Sequence, residues 1–148
     1  MPMLEQRIQQ QFFDNADLLS QTAEALARPI AAAAQALLGC ITAGGKLMLC
    51  GSGPAGALAQ HGAALMVGRF GRERPGLAAL AVGADSEVRA LGAPGDVLLA
   101  IASNGVAPAL TAAVQAAHAK DMTVVALTGR DAGGLAAQLG ETDVHIAV

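Results

Sequence analysis

Apolar residues recur at helical spacing along the first stretch of the chain: Leu4, Ile8, Phe12, Leu18, Leu19 and Leu26, with Gln, Asp and Glu between them. This pattern predicts a long amphipathic helix over 4–27. Pro29 then starts a second helix, "PIAAAAQALLGCITA", because proline is tolerated in a first turn, and Gly44-Gly45 ends it. Beyond that point the pattern changes. The runs "KLMLC", "GLAALAV", "DVLLAIA", "MTVVALT" and "DVHIAV" are short and apolar throughout, as strands buried on both faces of a parallel sheet are. Helical stretches fall between most of them, at 56–67, 108–119 and about 133–138. The alternation predicts an α/β fold, a doubly wound parallel five-stranded sheet with helices on both faces. One domain is expected, with 1–43 a helical oligomerisation segment and 44–148 the sheet core. The apolar stripe of 4–27 is longer than so small a sheet can cover.

Composition sharpens this picture. With 148 residues, 53% hydrophobic, 14% charged and no Trp or Tyr, the core must be close-packed Ala, Leu, Val and Gly. A net charge of -3 gives no support for a nucleic-acid surface. Apolar runs fall short of the roughly 20 residues of a bilayer span, and the polar start "MPMLEQRIQQQ" is no signal peptide, so no membrane is expected. Cys40 and Cys50 lack a metal-type spacing and are expected to be reduced, in a soluble cytoplasmic protein.

The candidate chemistry lies in three loops that follow strands: "GSGPAG", "SNGVAP" and "TGRDAGG". In a doubly wound sheet all three reach the carboxyl edge, where ligands bind. Each opens into a helix, and helix N-termini favour anions. The first loop superficially fits G-x-G-x-x-G, but no acidic residue ends a following strand at about 20 residues' distance, which excludes a dinucleotide site.

The segments "GGKLMLCGSG", "AQHGAALMVGRFGRERPGLAALAV", "GDVLLAIASNG" and "DMTVVALTGRDAGGLAAQLGETDVHIAV" together resemble the SIS (sugar isomerase) family. They are closest to its phosphoheptose isomerases and DnaA initiator-associating proteins. The resemblance implies a flavodoxin-like SIS fold, a homotetramer built through the N-terminal helices, and a sugar-phosphate ligand. It also implies ligand contacts at Ser52, Gly53, Asp85, Ser86, Ser103, Asn104 and Gly105. The initiator-associating branch further implies DnaA as a partner.

Departures from the family pattern bear on activity. Family members usually read G-N-G-G-S after the first strand, where this chain has Gly51, Ser52, Gly53, Pro54 and Ala55. The phosphate-binding hydroxyl is gone, and Pro54 has removed a backbone N–H. The third-strand loop, usually S-T-S-G-N-S, here runs Ala102 to Ala107 and keeps one hydroxyl. The isomerases carry a catalytic Glu four residues after the His of "AQH", where Leu65 stands. Aldose–ketose interconversion needs a positioned base, and Leu is none. A second family His follows the region that this sequence covers, and "GADSEVRALG" joins two family blocks across a shortened segment.

The reading is therefore a non-catalytic oligomeric module, holding a sugar phosphate weakly. The alternative is a sedoheptulose 7-phosphate isomerase of lipopolysaccharide heptose biosynthesis. In that alternative His61 is the catalytic candidate, with Asp85 and Glu87 the only other bases, and zinc is admitted; otherwise no metal or cofactor is expected. His118 and His145 read as structural or surface residues, and Asp131 as a helix cap. Arg69, Arg72 and Arg74 read either as a rim steering an anion or as subunit salt bridges.

Overall fold

The computed structural model describes residues 2–103, 105 and 107–148. Helix α1 runs Pro2–Thr42, β1 Leu47–Gly51, α2 Pro54–Val67, β2 Ala79–Val82 and α3 Asp85–Leu91. Then come β3 Val97–Ala102, α4 Pro108–Ala119, β4 Thr123–Thr128, a 3-10 turn Gly133–Gln138 and β5 Val144–Ala147. The strands form one five-stranded sheet in the order β2-β1-β3-β4-β5, and every pairing is parallel. All five predicted strands are present.

The strand pleat sends alternate residues to two separate cores. Leu47, Leu49, Val97, Ile101, Val125 and Ile146 face α1 and α2, packing against Ala33, Cys40, Ala55, Ala59 and Ala63. Met48, Cys50, Leu98, Ala100, Val124 and Ala126 face the other layer, packing against Val88, Leu110, Ala113, Val114 and Leu135. Alanine-rich helices suit this arrangement because small side chains bring the helix axes close to the sheet. At Gly62 the approach is close enough that a Cβ there would lie 2.7 Å from Leu49 Cδ2 and push that side chain aside.

One helix replaces the expected two. Pro29 sits inside α1, and the helix continues through it. The carbonyl left without a donor belongs to Ala25, which is exposed and meets water, and the alanines after Pro29 propagate the helix strongly. A continuous stripe of Leu26, Ala33, Leu37 and Cys40 holds the C-terminal half on the sheet. Residues 2–21 are exposed throughout, so this half of a helix about 60 Å long projects beyond the sheet. A Schellman motif ends α1: Gly45 N–H donates to Cys40 O at 2.8 Å and Gly44 N–H to Ile41 O at 3.1 Å, with Gly44 at φ 84°. Contrary to the sequence expectation, α1 is long and apolar enough to cross a bilayer by length and composition alone, with an 18-residue window of mean hydropathy 1.4. Its C-terminal half lies on the sheet instead.

Helix α3 was not expected. It is only seven residues long and buries one side chain, Val88, so it leaves little periodicity to read. Glu87 holds its start, accepting from the Gly83 and Ala84 N–H groups, while Ala84 has no side-chain acceptor to complete a capping box.

Candidate functional site

Because β1 leads through α2 to β2 on one side, and β3 leads through α4 to β4 on the other, the two chains diverge between β1 and β3. This is the topological switch point of the sheet, and a crevice opens there at the carboxyl edge. Gly51 pairs with Ile101, which brings Ser52 and Gly53 opposite Ala102 and Ser103. Gly105 follows in the same loop, at φ 65°. The predicted Asn104 lies outside the described residues. Asp85 and Ser86 start α3 one strand away, at the end of β2; there Asp85 pairs with Arg89 at 3.0 Å. The three glycine loops thus share one edge, as the sequence required.

The cradle is weaker than its outline. Gly53 takes φ 58°, a conformation that side chains rarely adopt, to swing the chain from β1 into α2. A Cβ at Gly51 would run into the Ala55 carbonyl. At the start of α2, Ala55 N–H donates to Ser52 O at 3.2 Å and Gly56 N–H to Gly53 O at 3.0 Å. Ala55 itself is fully buried. Helix α4 repeats the pattern: Pro108 opens it, as Pro54 opens α2, and neither helix has a side-chain cap. Proline at N1 carries no N–H, so both helices that border the crevice lack a donor at their first residue. Sequence reasoning noted Pro54 and missed Pro108, although the matching position was in plain view.

Beside the crevice lies a cavity of about 310 Å³, lined by Leu58, Ile101, Ala102, Ser103, Leu127, Thr128, Gly129 and Val148. Leu58 belongs to α2 and the others to the ends of β3, β4 and β5. The Thr128 hydroxyl is already engaged, donating to Gly129 O at 2.9 Å and meeting His145 Nε2 at 2.9 Å. With its one hydrogen so used, Thr128 accepts from His145. Of these lining residues Ser103 was an expected ligand contact, and Thr128 and Gly129 open the predicted loop "TGRDAGG"; Leu58 and Val148 had not been singled out from sequence.

The remaining candidates are dispersed. His61 is exposed seven residues into α2, about 10 Å along the axis from the crevice and opposite the buried stripe of Ala55, Ala59 and Ala63. Leu65 stands one turn further on. Among the described residues no three His, Cys, Asp or Glu side chains are placed to hold a metal ion, so the donor set does not fit zinc. Arg74 caps α2, donating to Leu65 O at 2.8 Å and Met66 O at 3.0 Å. Arg69 pairs with Glu73. Asp131 accepts from Gly133 N–H at 3.0 Å, while Ala132 occupies the cap position. His118 has a firm partner in Asp143, at 2.7 Å. Burial pushes the Cys50 thiol up, as does the charge of Glu87, so it stays a protonated core residue.

The SIS domain profile matches residues 11–92 and 82–129. The chain belongs to the SIS domain family. It is 57% identical over 166 positions to a phosphoheptose isomerase of Methylibium petroleiphilum, a match that takes in all of this chain and 83% of the relative. It is also 43% identical over 164 positions to the DnaA initiator-associating protein DiaA of Yersinia pestis, covering 99% of this chain and 83% of that one. The structure of phosphoheptose isomerase GmhA from Neisseria gonorrhoeae superimposes with a TM-score of 0.86 at 36% identity, over 97% of this chain and 85% of that one. The first match spans 166 positions against 148 residues here, so at least 18 positions have no counterpart in this chain. The two profile segments overlap at 82–92, where β2 runs directly into the short α3.

Proposed function

We propose that this SIS domain is a non-catalytic, oligomeric regulatory module of the cytoplasm, like the DnaA initiator-associating protein, with a replication initiator of the DnaA type as its partner. The observation that carries this reading is the crevice itself. It keeps the glycine turns that shape a phosphate site while Pro54, Ala55, Ala107 and Pro108 stand where donors would be. Leu65 stands in place of the family's catalytic Glu, and His61 has no acid or base beside it in the chain. Each lost charge-assisted hydrogen bond is worth about 1.5–3 kcal/mol, so two or three of them weaken a phosphate complex by orders of magnitude.

The assembly is proposed to be a homotetramer joined through the projecting half of α1. There Leu4, Ile8, Phe12 and Leu19 are 55%, 45%, 72% and 69% exposed along one stripe, which continues the face that packs on the sheet. The alternative, a phosphoheptose isomerase, is favoured by the 57% identity to a relative of that name. Calorimetric titration with sedoheptulose 7-phosphate separates the two readings. The module binds it in the millimolar range or not at all, whereas micromolar affinity would overturn the proposal.

A further inference from the structure

The turn that leaves α2 points to how the copies meet. Resting on the oligomeric reading above, we propose that residues 67–72 form the seat for the projecting half of α1 of a second copy. Val67 and Phe70 meet its apolar stripe at Ile8 and Phe12, and Arg72 meets Glu5.

Position shows why a second copy is needed. Helix α1 enters β1 at the amino edge of the sheet, so its free half projects past the carboxyl edge. Helix α2 leaves the carboxyl edge and ends at the amino edge, where the turn precedes β2. The chain's own free half is therefore at the far end of the sheet from this turn. The turn itself is apolar and held in shape. Phe70 is 68% exposed and Val67 54%. Arg74 ties the turn to the Leu65 and Met66 carbonyls, Leu77 N–H donates to Met66 O at 2.9 Å, and Gly71 takes φ 72° between the bridged Phe70 and Arg72. A fixed turn loses little freedom on binding, and Phe and Arg are enriched at interfaces.

Charge selects the occupant. Of the chain's nine Lys and Arg, three stand at 69, 72 and 74. Arg74 is engaged as a cap and Arg69 with Glu73, whereas Arg72 makes no ion pair among the described residues. Residues 2–21 carry three acids, Glu5, Asp14 and Asp17, against Arg7, a net charge of -2. Two such halves side by side repel each other, while α2 has no charged residue over Pro54–Val67 and ends in this basic turn. Glu5, Ile8 and Phe12 are spaced i, i+3, i+7 on one helix face, and Glu5 makes no ion pair among the described residues. In a two-fold pair each copy gives one α1 and receives one.

A charge swap tests the seat, with the dissociation constant of the full chain's assembly read by light scattering over a dilution series. Phe70→Ser should weaken association about tenfold or more with the helix signal unchanged. Arg72→Glu and Glu5→Arg should each weaken it about tenfold, and the chain carrying both should return to within about threefold of the parent. A merely structural role for either residue would give no such recovery. Unchanged association in Phe70→Ser would overturn the inference, and so would a double variant no better than the single ones, the result expected if α1 pairs with α1. A parent chain that stays monomeric at micromolar concentration would instead overturn the oligomeric reading itself.

Discussion

Removing the Asp143 carboxylate should cost a large part of the fold's stability. Its side chain is 2% exposed and makes three bonds. Oδ1 accepts from Val124 N–H at 2.8 Å. Oδ2 accepts from Gly140 N–H at 2.8 Å and meets His118 Nε2 at 2.7 Å. One carboxylate therefore ties the start of β5 to the start of β4 and to the last turn of α4. Asp143→Ala strands two backbone N–H groups and a ring nitrogen. At roughly 1–3 kcal/mol for each unsatisfied buried group, less where water can enter beside the partly exposed His118, the loss is about 3–5 kcal/mol. That is a large share of the 5–15 kcal/mol that holds a typical domain together. Asp143→Asn keeps one acceptor oxygen and should cost roughly half as much. Urea unfolding followed by circular dichroism measures both, through the shift in midpoint at constant slope. A loss below about 1 kcal/mol for Asp143→Ala would show that the three bonds do not hold β5 in place.

Three further outcomes are expected. Asp121 follows α4 at φ 54° within a Schellman motif, with an acidic side chain at the negative end of a helix, so Asp121→Gly should raise stability by up to about 1 kcal/mol in the same assay. Burial pushes the Asp96 carboxyl up, but hydrogen bonds from Lys46 Nζ, Lys46 N–H and Ala93 N–H outweigh it and hold the group below its ordinary 3.8. Its contribution is then complete above that value and lost as pH falls through the folded-state pKa, so Asp96→Asn should flatten the acid limb of a stability–pH curve and leave its neutral shape unchanged. Phe12→Asp, on the exposed stripe of α1, should reduce the mass seen by light scattering from near four times 14.7 kDa to a smaller species without loss of helix signal.

The sheet was legible because strands buried on both faces are apolar throughout, and "DVLLAIA" or "MTVVALT" has no other economical reading. Strand order was not, since nothing local in β2 says that it lies outside β1. Pro29 misled for a physical reason: a proline costs a helix one hydrogen bond, but a solvated carbonyl at Ala25 and a continuous packing stripe outweigh that loss. Helix α3 escaped because a single buried residue, Val88, carries no period. Its i,i+4 pair of Asp85 and Arg89 and its acidic first turn were the available signals. At the crevice, Ser52, Gly53, Ser103 and Gly105 were correctly placed on one edge, as parallel topology demands. Sequence could not show that the N–H groups of Ala55 and Gly56 turn back onto their own loop, nor that Leu58 and Leu127 converge beside it. Both depend on how α2 sits over the sheet.

The central claim, that the chain keeps the shape of a sugar-phosphate isomerase site without its chemistry, is tested most directly by a turnover assay. Purified protein is incubated with sedoheptulose 7-phosphate, and formation of the aldose phosphate is followed by NMR. With Leu65 where the base would be and His61 unaccompanied, no product above the uncatalysed background is predicted; sustained turnover at enzymatic rates would contradict the account.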